Sequence, residues 1–315
     1  MKVAVLGHAL VDYVYLVESI STIDDEYRII RDVRYPGGSA LNTAVGLINL
    51  GSEPLLIANI GSDDRGLFLL TFLREKGISL SGVRTVKGES GYCIVIRDVM
   101  GNVLLYSKLN VAEPLVIDDQ VASLLVGVDH IHVTSLSIAS LRNVLRVVEN
   151  MGLRVTMSWD IGRVTAKEGW EAVNQYLRFF DIVFVSQREL EHVSKNIGIT
   201  DFLKIMRNHF RGVLIVKKGR RGITVYSREG RIIEAYFSQP VVVIDSLGAG
   251  DAFASCYLHH RLKGLDEEEV IRKSVIFSTL KVGYEGGSTM PLLDEFEKEF
   301  KSLSGKVVVK NFMVD

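Results

Sequence analysis

The sequence predicts an α/β fold: a central, mostly parallel sheet flanked by helices, with a small second sheet standing off it like a cover. Three observations predict this. Short runs rich in Val and Ile recur and are apolar throughout, the pattern of strands buried on both faces. Amphipathic stretches separate them, and several end in glycine, the residue that most easily takes the left-handed geometry of a helix C-cap. Two further segments alternate apolar with polar residues and break that rhythm.

In chain order, the buried strands are expected at 2–6, 54–60, 130–135, 154–159, 181–186, 212–219 and 240–245. Helices are expected at 39–51, 64–77, 141–152 and 252–264, closing on Gly51, Gly77, Gly152 and Gly264. Such alternation builds helices onto a sheet. Residues 11–35 and 91–109 are the alternating segments. The second reads as a hairpin with Gly101-Asn102 in its turn. Neither has the apolar mass to stand alone, so both are assigned to the cover. The whole chain, 1–315, is read as one domain.

Composition narrows the classes of function. A net charge of -1 over 315 residues argues against a dedicated nucleic-acid binder. Two cysteines, Cys93 and Cys256, make neither a disulfide framework nor a four-thiolate zinc site, and they fit a reducing, cytoplasmic setting. The opening "KVAVLG" reads as a buried strand rather than a leader. No uncharged apolar stretch of about 18 residues marks a membrane span. His130 and His132 share a strand face as a metal pair would, but no third ligand is evident, and packing is the better reading. His259 and His260 read as surface or packing residues.

The stretch "IDSLGAGDAF" (244–253) carries chemistry. It hands a strand pattern to a helix pattern through Gly248, Ala249 and Gly250. The first N–H groups of a helix have no intrahelical partner, and with the helix dipole they attract an anion. Glycines there let a phosphate approach the backbone. A carboxylate beside a phosphate is repelled by it, so Asp251 makes sense as a base that takes a proton from an attacking hydroxyl. It also makes sense as a plain helix cap. Rival glycine motifs fail: Phe253 stands where a dinucleotide fingerprint needs glycine, and no Walker A loop occurs. A second site is "YPGGSALNTA" (35–44), where Gly37 and Gly38 stop the chain, Ser39 is placed to cap the next helix, and Asn42 lies in its first turn. Asp12 follows the first strand, where open α/β sheets gather ligands.

Together these motifs resemble the PfkB (ribokinase-like) family of sugar and nucleoside kinases. "DSLGAGDAF" (245–253) resembles its C-terminal signature, with Ser246 in place of threonine, and "PGGSALNTAVGLINLG" (36–51) its N-terminal one. "IGSDDRGLFLLTFLREKGIS" (60–79) and "VKKGRRGITVY" (216–226) match the segments expected between them. The resemblance implies a ribokinase-like fold whose cover is a β lid over the acceptor. It implies transfer of the ATP γ-phosphoryl group to a primary hydroxyl, with Mg²⁺ and, in part of the family, a monovalent cation. It implies Asp251 as general base and the N–H groups of Gly248, Ala249 and Gly250 as anion hole. Asp12, Gly37, Gly38, Ser39 and Asn42 match acceptor-binding positions. Lys217, Gly219, Gly222, Asp245, Ser246 and Gly286 match the nucleotide side.

Two departures bear on function. The family's N-x-x-E pattern, which helps organise Mg²⁺ and phosphates, is "SQRE" here: Ser186 replaces asparagine and can still hydrogen-bond a metal-bound water on the nucleotide side, while Glu189 is kept to reach the metal through water. Leu10 and Ser39 stand where ribokinases carry polar groups that hold sugar hydroxyls. The N-terminal part is closer to archaeal nucleoside kinases, and Tyr13, Tyr15 and Tyr92 are candidates to hold a base. A free sugar or sugar phosphate is the alternative acceptor, and a catalytically impaired binding relative the alternative of another class. The expected partners are a small molecule and a nucleotide, with no nucleic acid or membrane, and a homodimer through the lid.

Overall fold

The computed structural model describes residues 1–20, 26–195, 197–198, 210–227 and 230–313. Residues 21–25 of the first lid segment lie outside the described residues. The chain opens with β1 (Lys2–Gly7), β2 (Leu10–Val17) and β3 (Ile29–Gly37), then α1 (Ser39–Asn49), β4 (Glu53–Gly61) and α2 (Asp64–Glu75). After β5 (Val83–Val86) come the hairpin strands β6 (Tyr92–Asp98) and β7 (Val103–Lys108) and a short α3 (Asp119–Ser123). The middle alternates: β8 (His130–Thr134), α4 (Ile138–Asn150), β9 (Thr156–Asp160), α5 (Arg163–Ala166), α6 (Trp170–Leu177), β10 (Ile182–Ser186), α7 (Gln187–Val193) and β11 (Val213–Lys217). The last part holds β12 (Ile223–Tyr226), β13 (Arg231–Phe237), α8 (Ala249–Leu262), α9 (Glu267–Lys281), α10 (Leu293–Leu303) and β14 (Val307–Met313).

Ten strands form one sheet in the order β14-β13-β12-β11-β10-β9-β8-β1-β4-β5. The seven from β11 to β5 are mutually parallel, and β12, β13 and β14 extend the sheet antiparallel. The apolar runs are explained by burial on both faces. Within β10, Val183 and Val185 enter the core on one side, with Trp159 and Leu141. Ile182 and Phe184 enter the core on the other, with Tyr257 and Phe277. Helices start on side-chain caps from Asp63, Ser137 and Asp266. Gly51, Gly77, Gly152 and Gly264 follow helices in the left-handed region, as the sequence predicts.

The second sheet, β3-β2-β6-β7, is built from the two alternating segments. The β6–β7 turn is tied by Asp98, which accepts from the N–H groups of Met100 and Asn102 at 3.0 and 2.8 Å. Register divides this sheet into two faces. Asp12, Cys93 and Ser107 lie across from one another on one face, and Val14, Val95 and Leu105 follow. The opposite face carries Tyr13, Ile94 and Tyr106, then Tyr15, Ile96 and Leu104.

One expected strand is absent. Residues 240–245 run as an irregular segment in which Val241 to Ile244 are exposed, Val242 to 84%. The N–H groups of Ile244 and Asp245 share a single acceptor, the Val282 carbonyl, so no ladder forms. The antiparallel strands β12 to β14 already extend the sheet beyond β11, leaving this run beside α9's end.

Candidate functional site

The parallel strands all end on one side of the sheet, and their last residues collect there. Asp160 closes β9, Ser186 closes β10 and Lys217 closes β11, with Ser186 paired to Lys217 and Phe184 to Asp160. Lys217 Nζ donates to Asp160 Oδ2 and lies 5.9 Å from the Phe184 ring. Burial alone would lower the lysine's pKa, but Asp160, Glu189 and Asp251 hold it above its ordinary value.

That ammonium faces the glycine turn. A Cβ added to Gly250 would lie 3.3 Å from Lys217 Nζ. Gly248 is the N-cap of α8 with φ 74°, and a Cβ on it would collide with the Gly287 carbonyl. Both constraints demand glycine there. The N–H groups of the first turn have no intrahelical acceptor. Ala249 N–H makes a long turn bond to Ser246 O at 3.3 Å, while the Ser246 side chain is exposed.

Asp251 sits in this first turn as its third residue, so it is not the N-cap. Its Oδ2 accepts from Asn42 Nδ2 at 2.8 Å. Burial, with the like charges of Asp160 and Glu189, raises its pKa to about 7 against the opposing pull of Asn42 and Lys217. Asp12, 8% exposed, comes in from β2 and leaves no room for a side chain at Gly37. Burial, then the charges of Asp251 and Asp245, raises it to about 7 as well. Two carboxyl groups near neutrality therefore face one space from lid and helix.

Gly38, with φ 92°, is the N-cap of α1; a Cβ there would lie 2.5 Å from His8 O. Ser39 is the first helical residue, not the cap, and its Oγ accepts a 3.2 Å hydrogen bond from Ser135 Oγ. The cap falls one residue before the expected position because the glycine's left-handed geometry replaces a side-chain cap. Asp245 is buried and accepts from Leu247 N–H at 3.0 Å and Gly286 N–H at 2.9 Å, which ties the glycine turn to the loop after α9. Gly286 packs on the Tyr35 ring. Gly219 and Gly222 shape the turn after β11, with φ of 59° and 81°.

Ser186 and Glu189 form a reciprocal capping box on α7. Ser186 N–H donates to Glu189 Oε2 at 2.6 Å, and Glu189 N–H donates to Ser186 Oγ at 3.3 Å. The serine has a local structural role, while the glutamate's charge still bears on Asp160, Lys217 and Asp251.

The tyrosines fall differently from expectation. Tyr13 and Tyr15 lie on the lid face opposite Asp12, and Tyr92 packs edge-on against Tyr13 under Arg65. Tyr35 is the lid aromatic on Asp12's side, directly paired with it, and its hydroxyl donates to Glu285 at 2.8 Å. Arg31 grips the same carboxylate with both terminal nitrogens at 2.8 and 3.0 Å. Asp160 and Glu285 were missed in the sequence. The signal for Asp160 was there: an acid immediately after an apolar strand run. His130 and His132 bond to Ser158, burial pushes both down, and no group of three metal-ligating side chains occurs among the described residues. His259 and His260 are buried, bonded to Ser52 and to the Cys256 carbonyl. No helix among the described residues is long and apolar enough to cross a membrane.

Known proteins resemble this chain in sequence and fold. The chain is 28% identical over 296 residues to an ATP-dependent ribose-1-phosphate kinase of Halopiger xanaduensis, covering 93% of this chain and 96% of that protein. The crystal structure of a Methanocaldococcus jannaschii nucleoside kinase superposes with a TM-score of 0.77 at 22% identity, over 96% of this chain and 98% of that one. A Burkholderia thailandensis nucleoside kinase in complex with inosine superposes with a TM-score of 0.85 at 19% identity, over 97% of this chain and 98% of that one. These structures share its fold. The model of the pfkB family of carbohydrate kinases matches residues 1–294, and the chain belongs to that family.

Proposed function

We propose that the chain, acting as one kinase domain, transfers the γ-phosphoryl group of ATP to the primary hydroxyl of a ribose derivative. The observation that carries the reading is Asp251: a carboxylate near neutrality, held by Asn42, inside the helix turn that offers free N–H groups to an anion. The acceptor oxygen attacks the γ-phosphorus as its proton passes to Asp251. The new O–P bond forms as the bond to the bridging oxygen breaks, and ADP leaves. The first-turn N–H groups of α8, with Lys217, stabilise the charge on the transferred group. Asp12 accepts from acceptor hydroxyls. The exposed run Val241 to Ile244 offers an apolar surface to the adenine.

Magnesium is taken as the nucleotide's partner, and the site suits it. Glu189 is buried with one carboxylate oxygen outside its capping box, close enough to act on Asp160. Mg²⁺ uses one or two carboxylates besides phosphates and water. When bound, it would neutralise phosphate charge; Glu189 would reach it through water.

A nucleoside and ribose-1-phosphate share the hydroxyls that Asp12 would hold and differ at C1. Tyr13 and Tyr15, turned to the other lid face, offer the base no platform. Arg163 is exposed at the start of α5, and its charge acts on Cys93, the residue paired with Asp12. A basic side chain on that side and the likeness to a ribose-1-phosphate kinase support a phosphate at C1, with the nucleoside as second reading. The test is incubation with Mg-ATP and either ribose-1-phosphate, mixed ribonucleosides or free sugars, followed by mass spectrometry of the acceptor. No mass gain in any acceptor would sink the kinase reading; gain in free sugars alone would sink the ribose-derivative reading. We also propose a homodimer through the lid.

A further inference from the structure

Helix α9 ends on Lys281, which is 0% exposed. Its Nζ donates to the Tyr284 carbonyl at 3.1 Å, one turn beyond the helix. Asp245 and Asp251 are the charges that act on it. The ammonium thus lies at the negative end of the α9 dipole, in the loop that supports the glycine turn. Gly286 N–H binds Asp245, and Gly287 O closes on Gly248. A buried ammonium is costly to desolvate, and burial lowers its pKa to about 8 against the two carboxylates. An apolar side chain would be cheaper if packing were its only task.

The oxygens around it are already committed. Asp245 accepts from Leu247 and Gly286 and lies 3.8 Å from the Arg97 guanidinium, which donates to the Ile244 carbonyl; the Val282 carbonyl accepts from Ile244 and Asp245, and Tyr284 O takes Lys281. A free monovalent cation would have to displace these bonds and share the space with a resident charge. The expected monovalent cation therefore does not fit beside this turn.

We infer that Lys281 is the built-in cation of the anion turn, a positioning residue that makes a monovalent metal ion dispensable. It fixes the 284–287 loop through Tyr284 O and, together with Arg97, whose guanidinium lies 3.8 Å from Asp245, offsets that carboxylate's charge without touching substrate. The inference rests on the kinase reading, and its test separates the two. Turnover and thermal midpoint are measured in potassium chloride and in tetramethylammonium chloride at equal ionic strength. For the unaltered enzyme, both are expected to be the same within about twofold in rate and within error in midpoint. Lys281→Ala is expected to lose at least about tenfold in turnover, with part restored by potassium or ammonium but not by tetramethylammonium. A merely structural lysine would give no such cation-specific recovery. Potassium-specific activation of the unaltered enzyme, a potassium-specific rise in its midpoint, or full turnover in Lys281→Ala would each overturn the inference. If Lys281→Ala does not fold, the unaltered enzyme's two comparisons still decide. If no acceptor is phosphorylated, the kinase reading falls and the thermal comparison still tests the cation.

Discussion

Asp251 has a pKa near the pH at which it would work, and burial is the main cause. A base must be unprotonated, so kcat/KM is expected to rise with pH through a limb near 7, measured against a saturating co-substrate. Asp251→Asn should reduce kcat by ~10²–10⁴-fold while ATP binding, read by calorimetry, persists. Near-normal turnover would reduce Asp251 to packing. The same shift has a stability consequence of opposite sense. Between the ordinary 3.8 and about 7 the folded state keeps a proton that the unfolded chain releases, so stability falls as pH rises across that window. The amide introduced by Asp251→Asn cannot ionise, so this variant should gain thermal midpoint over the parent on going from about pH 5 to about pH 8. A parallel pH dependence of the two midpoints would refute this. Much of the site was legible residue by residue: Asp12, Asn42, Gly248 and Asp251 announce themselves by glycine turns and strand ends. The tyrosines were not, because a one-residue change of register decides which lid face a side chain takes, and composition does not encode it. Lys217 was legible and Asp160 was passed over; their pairing needs β9 to β11 side by side.

The element that sets the site is α8 laid against α1. Their contact is close because Gly46 faces Ser255, with no space for a Cβ between them. Asn42, one turn before Gly46, is thereby brought to Asp251. Gly46→Val should force the helices apart, cost roughly 1–3 kcal/mol of stability, and lower kcat through the lost Asn42–Asp251 bond. Chemical denaturation and steady-state kinetics on one preparation would check it, and a stable variant of unchanged kcat would refute the coupling. Gly250→Val tests the turn itself, since its side chain would crowd Lys217 and block the phosphate. Transfer should be abolished with the fold retained, and an active valine variant would rule out the anion hole. Helices were legible because their periodicity and closing glycines agree. Residues 240–245 were not, because apolar composition is the same whether a run enters the sheet or lies exposed beside it.

At the scale of the whole molecule, the alternation of strand and helix was enough to read the layered α/β architecture, while the antiparallel β12–β14 extension carries no such signal. The lid raises the remaining question, that of assembly. Its edge strands are β3 and β7, and both expose apolar residues: Ile29 and Ile30 on one, Leu104, Leu105 and Tyr106 on the other. Tyr106, 59% exposed, shares its face with Ile94 and Tyr13, and Leu104 shares it with Ile96 and Tyr15. An open edge beside an apolar face invites pairing, and a stable interface needs about 1,200–2,000 Å² in total. Two lids packed by these faces would cover the edges without closing either acceptor site, since Asp12 looks the other way. Light scattering is therefore expected to give a dimer at micromolar concentration. Leu104→Glu paired with Tyr106→Glu should give a folded monomer, because a charge buried without a partner is strongly disfavoured at an interface. A monomeric parent protein, or a double variant that stays dimeric, would place the assembly surface elsewhere or remove it.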